Sequence, residues 1–245
     1  MQLVILGYHR SGTSAVTQHL MKAGLFVGDD LIGSNQSNPY GHFEDRLFFD
    51  VHERILRENG ERWLAPNPFT PIVSQGARSQ SNALVAARDA AYDHWGFKDP
   101  RACLFIDHWR TVLPDPRFLV CLRHYRACIH SLLRRALNSV GNTADKGLAT
   151  MHMRLAADPD TVARSWIAHM LPVMRLIERC PERVHVVSVG RLTGDASIAI
   201  ELTERFGLPL APVALAETFQ DGLFSADDAV DVQLSSDTEV LAERV

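Results

Sequence analysis

The sequence predicts an α/β fold, a central parallel β-sheet flanked by helices on both faces. Three observations lead there. Short apolar runs near positions 3, 95, 117 and 183 read as buried strands, and helical stripes of apolar residues separate them. The first run stops at a glycine, and a loop with a glycine near each end leads directly into a helix. The chain has 245 residues, 46% of them hydrophobic, enough to bury one sizeable core. Residues 1–210 are expected to form a single α/β domain, with 211–245 an acidic segment packed on it or partly disordered.

The first strand is the run Leu3-Val4-Ile5-Leu6, and the first helix carries Val16, Leu20 and Ala23 on one stripe. Between them lies Gly7-Tyr8-His9-Arg10-Ser11-Gly12-Thr13-Ser14, with the length and glycines of the phosphate-binding pattern G-x-x-x-x-G-K-[ST]. Glycines at those places let backbone N–H groups turn inward, and the helix adds the positive end of its dipole. The loop therefore calls for an anion. It departs from the nucleotide-triphosphate pattern at one place: Thr13 stands where a lysine would hold β- and γ-phosphates. The fixed charge comes earlier, at Arg10, with hydroxyls following at Ser11, Thr13 and Ser14.

A polar linker from Gly33 to Gly41 delivers His42-Phe43-Glu44-Asp45 to a second helix, with Leu47, Phe48, Val51 and Ile55 predicted on its inner face. Acidic residues suit the first turn of a helix, and Asp45 reads as its cap. Residues 61–80, with three prolines, form a long loop, by expectation a lid or an acceptor-binding segment, or else a simply disordered stretch. Ser81 is expected to cap the next helix, which carries Leu84, Ala91 and Trp95. A short strand from Trp95 ends before Pro100 and leaves Lys98 to Arg101 at its mouth, where ligands sit in α/β sheets.

A helix from Ala102 to Val112 leads to the clearest strand, Arg117 to Arg123, and to another helix holding Ile129, Leu132 and Leu133. Seven arginines between 101 and 135 face only Asp107 and Asp115, a local excess suited to a multiply charged ligand. Arg110, Arg134 and Arg135 are the ones assigned to solvated helix faces. Residues 138–158 give no assignment. Asp158-Pro159 opens a long helix with Trp166 on its apolar stripe, where core packing outweighs stacking on a base, and Pro172 is expected to kink it. A last strand, Arg183 to Val189, precedes a helix capped by Asp195 and ended by Gly207.

Four stretches make residues 1–210 resemble the sulfotransferases that use 3′-phosphoadenosine-5′-phosphosulfate (PAPS), in their soluble bacterial branch. Arg10-Ser11-Gly12-Thr13-Ser14 resembles that family's loop for the 5′ phosphosulfate. Asn38-Pro39-Tyr40-Gly41-His42-Phe43-Glu44-Asp45 and Lys98-Asp99-Pro100-Arg101 match two bacterial signatures. Arg123, with Ser131 eight residues on, matches the family's 3′-phosphate site. The resemblance implies a P-loop NTPase-like sulfotransferase fold. PAPS would be the donor, bound by Arg10, Ser11, Gly12, Thr13, Ser14, Arg123 and Ser131, with Arg10 at the sulfuryl end and Arg123 a nucleotide's length away.

The implied reaction is transfer of the sulfuryl group to a hydroxyl, or as second choice an amine, of a small molecule, glycan or lipid. Glu44, Lys98, Arg10 and His42 are the implied catalytic residues. Glu44 is first choice as general base, ahead of His42 and then Asp99, and Lys98 would neutralise the bridging oxygen. The chain departs from the family in three ways. It lacks the catalytic histidine that the animal cytosolic branch has near Lys98. Tyr125 stands where a proline usually follows Arg123. The acidic tail has nothing like the basic segment that closes the nucleotide site in animal relatives.

Composition narrows the alternatives. Lys and Arg number 25 against 29 Asp and Glu, a formal net charge of −4 that gives a nucleic-acid partner no support. No apolar run of about 18 residues occurs, so no membrane span and a cytoplasmic enzyme are expected. Cys103, Cys121, Cys128 and Cys180 lack C-x-x-C spacing and read as reduced thiols. No H-E-x-x-H or C-x-x-C ligand pattern is present, and no metal is expected. The rival readings are a P-loop kinase-like phosphotransferase and a non-catalytic nucleotide-binding protein. The first lacks the loop lysine and an acidic strand end for magnesium.

Overall fold

The computed structural model describes residues 1–33, 41–143, 145–188, 197–218 and 232–245. Four strands, β1 (Gln2–Leu6), β2 (Trp95–Lys98), β3 (Pro116–Leu122) and β4 (Val184–Ser188), form one parallel sheet in the order β2-β1-β3-β4. The chain leaves β1 for β2 on one side and then crosses to β3 on the other. The carboxyl ends of β1 and β3 therefore form a topological switch point, where the loops diverge and leave a crevice.

Side chains alternate across the sheet with period two, and this sorts the core. Leu3, Ile5, Leu119 and Cys121 pack with α1 (Thr13–Lys22) and α8 (Ile198–Phe206) on one face. Val4, Leu6, Phe118 and Val120 belong to the larger core on the other face. That core is built with α2 (Arg46–Glu58), α3 (Gln75–Ala91), α4 (Ile106–Val112), α5 (Tyr125–Asn142) and α7 (Pro159–Arg179). The expected parallel sheet between helical layers is thus present. All four cysteines are free and buried.

Several boundaries differ from expectation for local reasons. Helix α3 begins six residues before Ser81 because Ser74 caps it, accepting from Ala77 N at 3.1 Å. Ser81 is instead buried inside the helix, donating to Ala77 O. On α2, Asp45 is the cap as predicted, accepting from Leu47 N, but Leu47 is 50% exposed and His52 takes its place inside. The unassigned 138–158 stretch is mostly helical: α5 runs to Asn142, and Asp145 caps α6 (Lys146–Ala156) through two backbone N–H groups. The Ala102–Val112 helix is 3₁₀ from Pro100 to Phe105 and α only from Ile106. Helix α7 continues on both sides of Pro172, and Trp166 is core, 5.7 Å from Tyr125. Helix α8 ends at Gly207 in a left-handed cap. Asp195 and residues 38–40 of the linker lie outside the described residues.

Part of the acidic tail packs on the domain. Val232 and Ala242 join the larger core, Arg126 pairs with Glu239 of α9 (Ser236–Glu243), and Lys22 pairs with Glu217 at 2.5 Å. Helix α2 is held to the sheet by Phe48, which stacks on Phe97 of β2 with centroids 4.0 Å apart and no exposed surface to speak of. Phe48→Ala should therefore lower stability by about 3–5 kcal/mol in denaturant melts. A loss below about 1 kcal/mol would show that α2 is anchored elsewhere.

Candidate active site

The loop after β1 turns sharply because its backbone touches its neighbours. A Cβ on Gly7 would lie 2.5 Å from Ser11 Oγ and 2.8 Å from the Cys121 carbonyl of β3, so only glycine fits. Gly7 N donates to Cys103 Sγ at 3.3 Å, and burial pushes that thiol up to about 12. Arg10 and Gly12 both have left-handed backbones, φ 69° and 86°, and Gly12 serves as N-cap of α1. The Ser11 hydroxyl is buried and has no partner among the described residues. A loop with an unsatisfied buried donor, opening onto a helix N-terminus, is built to receive an acceptor from outside.

Arg10, Arg123 and Ser131 converge. Arg10 Nε donates to Ser131 Oγ at 3.0 Å, and Arg123 Nη1 donates to the Arg10 carbonyl at 3.0 Å. Arg123 thus reaches the backbone of the glycine loop itself. Strands β1 and β3 are neighbours about 4.8 Å apart, so loops leaving their ends lie side by side in the middle of the sheet. Burial pulls the Arg10 guanidinium down to about 10, and the largest influences after burial are Arg135, Arg123 and Arg134. Arg135 is also corrected: it is not on a solvated face. Burial lowers its pKa while Glu44 acts in the opposite direction, which puts it beside the cleft. Its position one turn after Ser131 on α5 was the signal in the sequence, since residues four apart share a helix face.

The second half of the site is a chain of buried ions. Lys98 Nζ donates to Glu44 Oε1 at 2.9 Å and reaches Ser14 Oγ at 3.4 Å, linking the carboxylate to the loop. Ser14 Oγ in turn donates to His42 O. Arg101 donates to Glu44 Oε2 at 3.0 Å, to Asp99 Oδ1 at 2.9 Å and to Glu53 Oε1 at 2.8 Å. Both Lys98 and Glu44 are buried, so Lys98 is not part of a surface ion pair with its sequence neighbours.

Asp99 is the hub beneath them. Besides Arg101 it binds His52 Nδ1 at 2.8 Å, while Trp109 Nε1 donates to His52 Nε2 at 2.8 Å. An indole N–H only donates, so His52 Nε2 accepts and its Nδ1–H donates to Asp99. Burial alone would raise the Asp99 carboxyl, but Arg101 and His52 outweigh it and hold the group well below the carboxylate range. Asp99 has no exposed surface, and its partners among the described residues all lie in this buried network. His42 is neutral at pH 7: burial lowers it to about 4, against the opposing pull of Glu44.

One further group escaped the sequence reading. His9, inside the glycine loop, packs edge-on against Trp63 (4.9 Å) and Tyr8 (5.3 Å), and its Nε2 is buried without a partner. Burial, followed by His169, lowers it well below the ordinary imidazole value. Trp63 belongs to the 61–80 segment, and the Ser165 hydroxyl of α7 donates to the Leu64 carbonyl. That segment is therefore docked over the loop. Among the described residues no cluster of three or more His, Cys, Asp or Glu side chains is placed to hold a metal. No described helix is long and apolar enough to cross a membrane.

No family model matches the chain, and no curated protein matches it in sequence. Two solved structures share its architecture. The sulfotransferase domain of the Synechococcus PCC 7002 olefin synthase superposes with a TM-score of 0.53 at 16% identity, covering 100% of this chain and 94% of that one. The sulfotransferase domain from the curacin biosynthetic pathway gives 0.52 at 13% identity, covering 99% and 96%. The chain has the α/β fold of sulfotransferase domains.

The Asp99 hub yields a prediction with a definite sign. Its folded pKa is depressed, so its contribution is fully present above the unfolded value of about 3.9 and fades as pH falls below that. Asp99→Asn should cost up to about 3–5 kcal/mol at pH 7, because it takes from buried Arg101 one of its three carboxylates and from buried His52 its charged acceptor. The difference from the parent should narrow in melts taken below pH 4. A gap that stays constant down to pH 2 would contradict the assignment.

Proposed function

We propose that this protein is a PAPS-dependent sulfotransferase acting on a hydroxyl, or as second choice an amine, of a small molecule, glycan or lipid. The observation that carries the reading is the crowding of Arg10, Arg123 and Arg135 around a glycine loop at the switch point. Like charges gather there against their mutual repulsion, and a bound polyanion would offset it. The residues fit PAPS: two anionic groups on one nucleotide match an arginine cluster together with an unsatisfied loop hydroxyl. The sulfotransferase fold of the two structural neighbours supports the same reading. Arg10, Ser11, Gly12, Thr13 and Ser14 would hold the 5′ end, and Arg123 with Ser131 the 3′ phosphate. PAPS would supply the transferable sulfuryl group.

The chain's own residues would then do three things. Lys98, already between Ser14 and Glu44, shifts its charge toward the loop as negative charge builds on the leaving oxygen. That movement loosens its hold on Glu44 Oε1, and Glu44 takes the proton from the attacking hydroxyl. Arg101 keeps Glu44 oriented through its other oxygen. His42 is the second candidate for base, because its imidazole is unprotonated at neutral pH.

Transfer from labelled PAPS to a panel of alcohols tests the activity. Arg123→Ala should weaken adenosine 3′,5′-bisphosphate by about 1.5–3 kcal/mol and leave adenosine 5′-phosphate unchanged. Equal loss for both ligands would remove the 3′-phosphate assignment, and tighter binding of ATP with magnesium would favour the kinase reading. Glu44→Gln should lower kcat at least a hundredfold with bisphosphate affinity retained. An acid limb near pH 4 that vanishes only in His42→Gln would transfer the base role to His42. A protein that binds the bisphosphate but transfers nothing would be a non-catalytic nucleotide binder.

A further inference from the structure

A second cavity, of about 390 Å³, lies away from the nucleotide cleft, between the 69–73 segment, α4 and the carboxyl-terminal half of α7. It shares no lining residue with the glycine loop or with Glu44, Lys98, Arg123 and Ser131. Its size is in the range of small-molecule sites.

Its charge is one-sided. Arg78, Arg110, Arg175 and Arg179 all line it, against a single carboxylate, Asp107. Asp107 points away into solvent, 90% exposed, and is linked at 3.4 Å to Arg110. The side chains of Arg78, Arg175 and Arg179 have no ion-pair or hydrogen-bond partner among the described residues. Helix stability explains only part of this. Arg179 suits the last turn of α7, but Arg175 sits one turn before it, a like charge at the i,i+4 spacing that costs stability. Arg78 stands in the first turn of α3, where the helix dipole opposes a cation.

The remaining wall is mixed. Phe69, Leu104, Phe105 and Leu176 give it an apolar surface. His108 also lines the cavity and is 7% exposed. Ser81 spends its proton on Ala77 O, so His108 must donate from Nε2 to Ser81 Oγ at 2.8 Å. That leaves Nδ1 as a buried acceptor with no partner.

We propose that this cavity binds a small molecule carrying a tetrahedral oxyanion, a phosphate or sulfate monoester, on an apolar body. The anion meets the unpaired arginines and the body lies against the aromatic wall. The site does not depend on the sulfotransferase reading.

The test is titration calorimetry on the full chain with phenyl phosphate, phenyl sulfate and phenol, each in excess adenosine 3′,5′-bisphosphate. At least one ester should bind saturably, phenol at least tenfold more weakly, and the tighter ester names the natural class. The double variant Arg175→Ala/Arg179→Ala, at exposed positions and checked by its melting temperature, should weaken ester binding at least tenfold. Arg123→Ala should leave it unchanged. Failure of both esters to bind, equal binding of phenol, or indifference to the double variant would overturn the proposal. Loss in Arg123→Ala would move the ester into the nucleotide cleft and overturn it equally, whether or not the bisphosphate itself binds.

Discussion

Arg101 holds three carboxylates, from α2, from the residue before that helix's cap and from the end of β2, on one buried guanidinium. Burial alone would lower its pKa, but Asp99 and Glu44 outweigh that and keep the charge fixed. Removing ions from water costs several kcal/mol each, so such a cluster is weak evidence of net stability. What it supplies is position. Glu44 arrives on a loop whose backbone is pinned to Ile32, and Arg101 and Lys98 fix the direction of its carboxylate. The stacked Phe48 and Phe97 below, with His52 and Trp109 beside them, close the cluster off from solvent.

Two electrostatic environments therefore meet at the switch point. Around Arg101 every cation has a carboxylate. Around Arg10 the closest influences are other arginines, and the backbone carbonyl of Arg10 is itself tied up by Arg123. The asymmetry separates a region where carboxylates face the cations from one where guanidinium groups lie near one another. The left-handed backbone at Arg10 belongs to the second region. A non-glycine residue adopts it only where its surroundings impose it, and here it turns the carbonyl toward Arg123.

Much of this was legible in the sequence because it rests on local rules. The glycine loop, the proline-ended β2 and the cap at Asp45 each follow from a few adjacent residues. Leu47 was misplaced because the helical stripe alone cannot choose between it and His52, and an Asp99 partner fifty residues away made the histidine the buried one. Ser81 reads as a cap because Ser74, a cap of the same type, lies inside a segment that reads as loop. Arg135 reads as a surface residue because it is charged and directly follows Arg134; only the adjacency of β1 and β3 turns its face of α5 toward Arg10. The contact between Arg10 and Ser131 likewise depends on strand order, which no local pattern encodes.

Lys98 connects the two environments. It is the only cation that touches both the carboxylate network and the loop among the described residues, through Glu44 Oε1 and Ser14 Oγ. A single ammonium cannot serve two acceptors equally when one gains charge. Any anion held by the loop competes with Glu44 for it, and the competition grows as charge accumulates at the anion. Binding on one side thus weakens a hydrogen bond to a carboxylate on the other, with no backbone movement required. The same coupling works in reverse: a weaker Lys98–Glu44 contact would release the ammonium toward the loop and tighten its hold on an anion there, as linkage requires.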